Sequence, residues 1–479
     1  MAGQTSAEVR PEHPYSIYTR NEKWIIVTLT AVSGLFSPLT ANVYFPAIPA
    51  ISRAFNKPVE LINLTVTMYL VLQGIAPMVW GTISDRRGRR PITAACLLIL
   101  SLSCVGLALV PTSDYWLLMI LRCVQAAGSA STIAIGAGVI GDISTREERG
   151  GFYGLFTLGP MVGPAIGPVI GGALSDKLGW RSIFWFLTIS PQCICLITII
   201  LVLPETLRAL VGNGSIVPPR IYRPVFPIIG HGRRNDTSHT TLQPVPGFRN
   251  PFRLLFNIDI LILLVANGII CSIYNGVIAT ISTLLGPAYP FLDETTIGLC
   301  FLGIGGGMIV GSSVTGRVLD REYRTFKKKE ELKVASNPVK TQIESREEDF
   351  PIEKVAAVPH CSTSRHMRSI WVVPPETGQS RWSVDFADLG FISIAVMNAT
   401  STLMIDLAPG QSSSITACNN LIRCSLSAAL ISVIQLIING IGVGWTFVLL
   451  CGVTLISVPL VLLAIKLGPA GRSRRRKTS

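Results

Sequence analysis

Runs of about 20 apolar residues recur along this chain of 479 residues, and each is long enough to cross a hydrocarbon layer about 30 Å thick. Backbone N–H and C=O groups must be paired inside such a layer, so each run is predicted to be a helix. Apolar residues make up 49% of the chain and charged residues 14%, which argues against a soluble protein. The sequence therefore predicts an all-α polytopic membrane protein. Its eleven predicted spans are residues 24–50, 59–83, 92–111, 116–141, 151–173, 182–203, 256–285, 295–316, 387–408, 415–439 and 443–465.

Lysine and arginine are concentrated in alternate connections between the spans. The connection DRRGRR (85–90) has four arginines in six residues, whereas PTSDY (111–115) and GPAYPFLDE (286–294) have no basic residue. Basic connections stay in the cytoplasm, so the N-terminus and the arginine-rich connections are predicted to be cytoplasmic. The net charge of +13 belongs to these connections and favours contact with anionic lipid over binding to nucleic acid.

Cysteine and histidine give no sign of a metal or haem site. Ten of the eleven cysteines lie inside apolar runs, where they are expected to be small buried hydrophobic residues, and all five histidines lie outside the spans. No cofactor, metal ion or membrane-embedded catalytic cluster is predicted, and an enzyme is not expected.

One motif occurs twice. Residues 81–90 (GTISDRRGRR) leave the second span and residues 316–324 leave the eighth, and both fit G-x-x-x-D-R-x-x-R. A six-span unit used twice explains the repeat, as in transporters with a central site between two halves. The predicted organisation is a cytoplasmic tail, a first half, a flexible linker, a second half and a basic cytoplasmic tail. Their bounds are residues 1–23, 24–203, 204–254, 255–465 and 466–479.

Three ordered segments resemble motifs of the major facilitator superfamily. They are GTISDRRGRR (81–90) with motif A, LRCVQAAGSA (121–130) with the motif of span four, and GPMVGPAIGPVIGG (159–172) with the antiporter motif of span five. PLTANVYFPAIPAI (38–51), LPETLR (203–208) and DLAPGQSSSITACNNLIR (406–423) further resemble the fungal branch of twelve-span drug:proton antiporters.

The resemblance implies two six-helix halves and export of small amphipathic organic compounds by proton antiport with alternating access. The expected partners are the small-molecule substrate, protons and the lipid bilayer. The expected protein is a monomer in the plasma membrane. Export of organic acids or polyamines, facilitated diffusion, and an inactive or non-transporting paralogue are the alternatives.

Motif A is the candidate gate. Glycines there suit a tight turn, and Asp85 can pair with Arg89. The resemblance implies that Asp85 lies near the start of the span that is eleventh in the twelve-span pattern, and that Asp142 pairs with Arg89. The alternative is a cluster that only fixes topology. The candidate gating residues are Gly81, Asp85, Arg86, Gly88, Arg89 and Asp142.

Arg122 is the only basic residue in the apolar run 116–141. A charge at that depth costs about 2.5–3.5 kcal/mol on insertion scales, so it is predicted to face a wet cavity or a partner rather than to snorkel to the interface. The resemblance implies a role in proton coupling for Arg122 and Gln125. Coupling could also involve Asp85 and Asp142, or protonation of the substrate itself.

The fifth span carries a glycine and proline pattern that a soluble helix would not tolerate. Glycines at i, i+4 fall on one helix face, where a second backbone can approach closely. The resemblance implies an interface with span eight, whose GIGGGMIVGSSVTG (303–316) is also glycine-rich; the alternative is a kinked structural helix. The residues of this pattern are Gly159, Pro160, Gly163, Pro164, Gly167, Pro168, Gly171 and Gly172.

The cavity implied by the resemblance lies between spans one, four, seven and ten, as they are counted in the twelve-span pattern. Polar or aromatic side chains in these spans are candidates to line it, although some of them can instead form hydrogen bonds between helices. The candidates are Asn42, Tyr44, Gln125, Asn267, Tyr274 and Asn275.

The sequence departs from the twelve-span pattern after residue 320. Residues 355–386 should contain span nine, but charges and paired prolines leave no apolar window of 18 residues. With eleven crossings the basic tail would end outside and the second half would be inverted after span eight. The hypotheses are an altered exon in the gene sequence, a degenerate copy that no longer transports, and a topology in which a later segment fails to cross.

Overall fold

Helices form the framework of the protein in the computed structural model, which describes residues 15–230, 255–336, 380–407 and 412–478. Thr19 caps the first helix in a reciprocal capping box with Glu22. The helices are α1 (Arg20–Asn42), α2 (Ile48–Phe55), α3 (Val59–Arg87), α4 (Arg89–Leu109), α5 (Tyr115–Ile143), α6 (Arg146–Leu178), α7 (Arg181–Leu187), α8 (Cys193–Val202), α9 (Arg208–Val211), α10 (Ile258–Ala288), α11 (Glu294–Ser336), α12 (Ser380–Leu407), α13 (Ser412–Ile441) and α14 (Val443–Thr478).

Eight helical segments of the described chain are long and apolar enough to cross a membrane, and three further apolar helices are shorter. The first of the eight, Arg20–Phe55, contains both α1 and α2. The shorter ones are Cys193–Val202, Phe386–Ser401 and Val443–Ser457. These segments fall at the eleven predicted positions, and the described residues contain no strand. The predicted all-α membrane fold is therefore confirmed.

The helix α6 is continuous over Arg146–Leu178 although it contains Pro160, Pro164 and Pro168. Close packing against α1 and α11 compensates for the helix propensity lost at its glycines and prolines. Only the membrane environment and these neighbours make such a helix favourable, since the same sequence would be a poor helix in water.

The two halves meet along α6 with α11 and along α3 with α13. The α3–α13 pair is antiparallel. Asn439 donates to Glu60 at 3.0 Å, Thr67 donates to the Ala428 carbonyl at 3.4 Å, and Gly74 lies against Cys424. This register directs the start of α13 towards the end of α3 that carries Asp85.

The directions in which the last three helices run through the bundle bear on the missing span. One apolar cluster contains the start of α10, the end of α12, the start of α13 and Ala464 of α14. The start of α10, the end of α12, the start of α13 and this part of α14 therefore lie together at the end of the bundle that carries motif A. The second half is not inverted after α11, because α12 returns to the same end at which α11 terminates. Most of the region predicted to lack span nine, residues 355–379, lies outside the described residues, and residues 380–386 begin α12.

The first part of the predicted flexible linker, residues 204–230, is folded against the N-terminal segment. Arg208 donates to the Tyr15 carbonyl at 2.6 Å and stacks on its ring, with the guanidinium carbon 3.6 Å from the ring centroid. The Gly230 amide donates to Glu22 at 3.0 Å. This part of the predicted linker therefore packs against the N-terminal segment, and residues 231–254 lie outside the described residues.

Candidate functional site

Arg122 lies at the centre of the first half, on α5, with no exposed surface. Its guanidinium carbon is 4.1 Å from the centroid of the Tyr44 ring and 4.3 Å from that of Tyr69. Two aromatic faces attract a cation electrostatically, and this attraction offsets part of the cost of removing the guanidinium from water. Full burial excludes snorkelling to the interface.

The hydrogen bonds of Arg122 use only part of its donor capacity. Its Nη1 donates to Oε1 of Gln125 at 2.5 Å and to the Thr40 carbonyl at 3.5 Å. Its Nε and Nη2 are buried without a hydrogen-bond partner, and none of the ion pairs among the described residues includes it. The structure thus brings the predicted Arg122 and Gln125 together, and it leaves the guanidinium with two unused nitrogens and no carboxylate.

Hydroxyl groups hold the two aromatic rings in place around this cation. The Tyr69 hydroxyl lies 2.9 Å from the hydroxyl of Thr40 and 2.8 Å from that of Ser129. The Tyr44 hydroxyl lies 3.0 Å from that of Thr65. Helices α1, α3 and α5 therefore fix the Arg122 site jointly, and a satisfied network of this kind is rigid.

Several predicted cavity residues of the second half form hydrogen bonds between helices. Asn267 donates to Asn419 at 2.7 Å and accepts from Thr400 at 2.9 Å, which joins α10 to both α13 and α12. Asn275 donates to Ser427 of α13 at 3.1 Å.

Two other predicted cavity residues are tied more locally. The Tyr274 hydroxyl, on α10, donates to the Met308 sulfur of α11 at 3.1 Å. Asn42 donates to the carbonyl of Pro38 in its own helix at 2.7 Å. Tyr44 is therefore the predicted cavity residue, besides Gln125, that touches Arg122.

Arg423 of α13 is a second intramembrane arginine, which the sequence analysis quoted in a motif without considering its charge. Its Nη2 donates to Oδ1 of Asn420 at 2.9 Å. The signal was available, because Arg423 is the only charged residue in the apolar run 415–439, as Arg122 is in 116–141.

The motif A cluster lies at the ends of α3, α4 and α5. Arg89 pairs with Asp85 and donates from Nε to Oδ2 of Asp142 at 3.0 Å. The Arg89 side chain is 11% exposed and that of Asp142 is 14% exposed, whereas Asp85 is 47% exposed. Gly138 leaves the space for the guanidinium, since a Cβ there would lie 2.6 Å from its carbon. The Arg86 side chain is exposed.

Glu205 caps the first turn of α4, a role that the sequence analysis missed. Its carboxylate accepts from the backbone N–H groups of Arg89 at 2.8 Å, Arg90 at 3.3 Å, Thr206 at 3.0 Å and Leu207 at 2.9 Å. Burial raises the pKa of Glu205, and these four donors oppose that rise. Gly88 permits the arrangement because its φ is +102°.

The glycine face of the antiporter motif lies against α1. A Cβ on Gly163 would lie 2.7 Å from Cγ of Pro38, and one on Gly167 would lie 3.2 Å from the Val43 amide nitrogen. An added methyl group on Gly159 would overlap the Ala31 carbonyl oxygen of α1, and one on Gly171 would overlap that of Val43, directly after α1. The regular glycine stripe therefore forms an interface within the first half.

Contact with α11 is made by other residues of α6. A Cβ on Gly298 would lie 2.6 Å from the Pro168 carbonyl oxygen, and one on Gly305 would overlap Ala165. A methyl group on Gly172 would overlap the Glu294 carbonyl. Helices α6 and α11 do pack together, as expected, but Ala165, Pro168 and Gly172 carry the contact.

At the bundle end opposite motif A, polar side chains link the two halves. Arg53 of α2 pairs with Glu294 of α11 at 3.1 Å. Thr295 donates to Asp176 of α6 at 2.9 Å, and Asn439 donates to Glu60 of α3 at 3.0 Å. The halves are therefore joined at this end in the described conformation.

These features define a class: a polytopic membrane transporter built from two helical halves, with an uncompensated cation in its core. The chain belongs to the Major Facilitator Superfamily, whose family model matches residues 30–336. Both the fold and the relatives are those of transporters rather than enzymes.

Named relatives span nearly the whole chain. Citrate exporter 1 of Aspergillus niger is 35% identical over 98% of this chain and 91% of its own length. Quinidine resistance protein 1 of Saccharomyces cerevisiae is 34% identical over 95% of this chain and 85% of its own length. The predicted resemblance to fungal exporters of this superfamily is thereby confirmed.

Two solved structures share the fold. A bacterial homologue of the human lysosomal transporter Spinster superposes with a TM-score of 0.63 at 12% identity, covering 95% of this chain and 99% of that one. Human MFSD10 superposes with a TM-score of 0.55 at 15% identity, covering 94% of this chain and 100% of that one.

Proposed function

We propose that this protein exports small organic compounds across the plasma membrane in exchange for protons, by alternating access, and that it acts as a monomer. The observation that carries the proposal is Arg122, fully buried in the first half with two unused guanidinium nitrogens. A buried charge without a counter-charge is costly, so its retention in a membrane core supports a role in binding or coupling.

The guanidinium itself does not titrate in the physiological range, so Arg122 acts by its field rather than by carrying the proton. A fixed positive charge in a low-dielectric core disfavours a second cation nearby and favours an anionic group. Protons then bind elsewhere: at Asp142 and Asp85 beside Arg89, or on the substrate itself. A proton on the substrate would neutralise the group that Arg122 attracts, which would couple the movements of proton and substrate in opposite directions.

Alternating access needs contacts that differ between two states, and both ends of the bundle supply candidates. Pairing of Arg53 with Glu294 supports closure opposite motif A in the described conformation. The Arg89 cluster at the other end is the candidate latch for the opposite state, with Asp85 exposed enough to meet the start of α13. Rocking of one half against the other would exchange these contacts.

The relatives suggest two classes of compound, since one is named a citrate exporter and another a quinidine resistance protein. The test is proton flux in proteoliposomes that contain the full chain, with an imposed pH gradient and citrate or quinidine added in turn. We expect at least one compound to drive proton movement. Arg122→Gln should lower that flux at least tenfold, and Arg122→Lys should recover part of it.

The matched control is Arg20→Gln, at an exposed position at the start of α1. It should leave the flux unchanged. Full flux in Arg122→Gln would show that Arg122 has no role in transport. Movement of the compound without movement of protons would show that the protein is a facilitator rather than an antiporter. Absence of any flux with correctly folded protein would favour the non-transporting paralogue.

A further inference from the structure

A second guanidinium, which is partly buried, belongs to the facing half of the molecule. Asn419, Arg423 and Ser427 are spaced i, i+4 on α13, and Asn419 and Ser427 contact α10 through Asn267 and Asn275. Arg423 thus lies on the face of α13 that meets α10. Its neighbour Asn420 faces α3 instead, and donates to the Gln73 carbonyl at 2.9 Å. Arg423 therefore lies where α3, α10 and α13 converge between the two halves.

The two arginine sites are joined through a single turn of α3. Tyr69, on which Arg122 stacks, precedes Gln73 by four residues, and residues so spaced have Cβ atoms about 6 Å apart. Tyr69 and Gln73 also reach the same residue of α1: the Tyr69 hydroxyl donates to the Ser37 carbonyl and Gln73 Nε2 donates to the Ser37 hydroxyl, both at 3.4 Å. The Arg122 and Arg423 sites are thus neighbours across the interface of the halves.

Among the residues that the structure describes, neither arginine has an acidic partner. The ion pairs found among the described residues involve neither Arg122 nor Arg423. Among the described residues, the groups that interact with Arg423 are the Asn420 amide and the thiols of Cys424 and Cys271, and none of these is a carboxylate. Two uncompensated cations in a membrane core repel each other and pay for desolvation, unless an anion binds between them.

We propose that the transported compound is an organic anion with at least two carboxylate groups, one held by Arg122 and the other by Arg423. This inference rests on the proposed function, since it names the substrate class of the same site. A guanidinium binds a carboxylate through two parallel hydrogen bonds, and the unused Nε and Nη2 of Arg122 can supply such a pair.

The proposal has a mechanical consequence, because the arginines belong to different halves. A compound with a carboxylate at each end would contact both halves at once, and its binding would favour the conformation in which the two sites are closest. A cationic drug in the same place would meet two like charges, so the site selects against it.

The experiment is equilibrium binding to the purified full chain in detergent, with citrate as the probe and its trimethyl ester as the uncharged isostere. We expect citrate to bind the wild type and the ester to bind at least tenfold more weakly. Arg423→Gln should raise the Kd for citrate at least tenfold, and Arg423→Lys should raise it less, since it keeps the charge and loses the fork. Arg20→Gln should leave the Kd unchanged.

Three results would overturn the proposal: no binding of citrate to the wild type, equal Kd values for wild type and folded Arg423→Gln, or an ester that binds as well as citrate. Folding is judged by a single gel-filtration peak, and Arg423→Lys carries the test if Arg423→Gln fails to fold. Binding is separate from transport. Citrate that binds through Arg423 while neither citrate nor quinidine drives flux would contradict the proposed function and support this site, whereas flux with quinidine and no citrate binding would do the reverse.

Discussion

Arg89 of α4 and Asp142 of α5 are joined by a hydrogen-bonded ion pair, with Nε donating to Oδ2 at 3.0 Å, and both side chains are largely buried. Removing one charge of a buried pair costs about 3–5 kcal/mol when the other is left uncompensated. Arg89 would keep the more exposed Asp85 as a partner, so the cost here is below that range. Asp142→Asn should therefore lower the melting temperature of the purified protein and reduce export severalfold. Asp114→Asn, at an exposed position before α5, is the control. Wild-type stability and export in Asp142→Asn would show that the pair has neither role.

The glycine stripe of α6 predicts opposite effects for two similar substitutions. A methyl group at Gly159 would overlap the Ala31 carbonyl of α1, whereas the space around Gly154 is open. Gly159→Ala should destabilise the protein by about 1–3 kcal/mol through overpacking. Gly154→Ala should be neutral or stabilise it by up to about 1 kcal/mol, because alanine favours the helix. Thermal unfolding of both variants decides the matter, and equal shifts would disprove the close contact with α1.

Adjacent glycines of α11 offer a matched pair at the interface between the halves. A Cβ on Gly305 would overlap Ala165 of α6, while none of the described atoms lies near a Cβ on Gly306. Gly305→Ala should separate α6 from α11 and lower export at least fivefold, and Gly306→Ala should not. Flux in proteoliposomes measures the difference. Unimpaired flux in a well-expressed Gly305→Ala variant would mean that this contact is not needed during the cycle.

The turn between α3 and α4 depends on glycine at position 88. An added Cβ would lie 2.5 Å from Oε2 of Glu205, and the φ of +102° is unfavourable for any other residue. Gly88→Ala should therefore lower the melting temperature, with a cost of about 1–3 kcal/mol from backbone strain alone. Gly151→Ala, at the same end of the bundle in open space, should not. A Gly88→Ala variant as stable as the wild type would contradict the cap by Glu205.

The ion pair of Arg53 with Glu294 should make only a small contribution to closure. Arg53 is 75% exposed, and exposed pairs contribute about 0–1 kcal/mol, so Glu294→Gln should shift the closed population by no more than about fivefold. Hydrogen exchange at the start of α11 should become faster, and added salt should narrow the gap from the wild type. Asp293→Asn, at the adjacent exposed position, is the control. Unchanged exchange in Glu294→Gln would exclude the pair from closure.

Much of the candidate site could be read from the sequence because its signals are local. Arg122 stands out as one charge in an apolar run, and the same rule would have identified Arg423. Glu205 could not be recognised as a helix cap in this way, because its partners Arg89 and Arg90 are more than 100 residues away in the chain.

The amino-acid sequence by itself determined where the spans lie, which connections are basic and which superfamily the motifs resemble, because hydrophobic length and charge are properties of short segments. Tertiary structure decided which neighbour each face meets. Gly159, Gly163 and Gly167 of α6 meet α1, while Ala165, Pro168 and Gly172 meet α11, although both faces are rich in small residues. It also placed Asn420, the hydrogen-bond partner of Arg423, against Gln73, one turn of α3 from Tyr69 of the Arg122 site. Such relationships depend on contacts between helices that are distant in the chain, and the pattern within a single helix does not specify them.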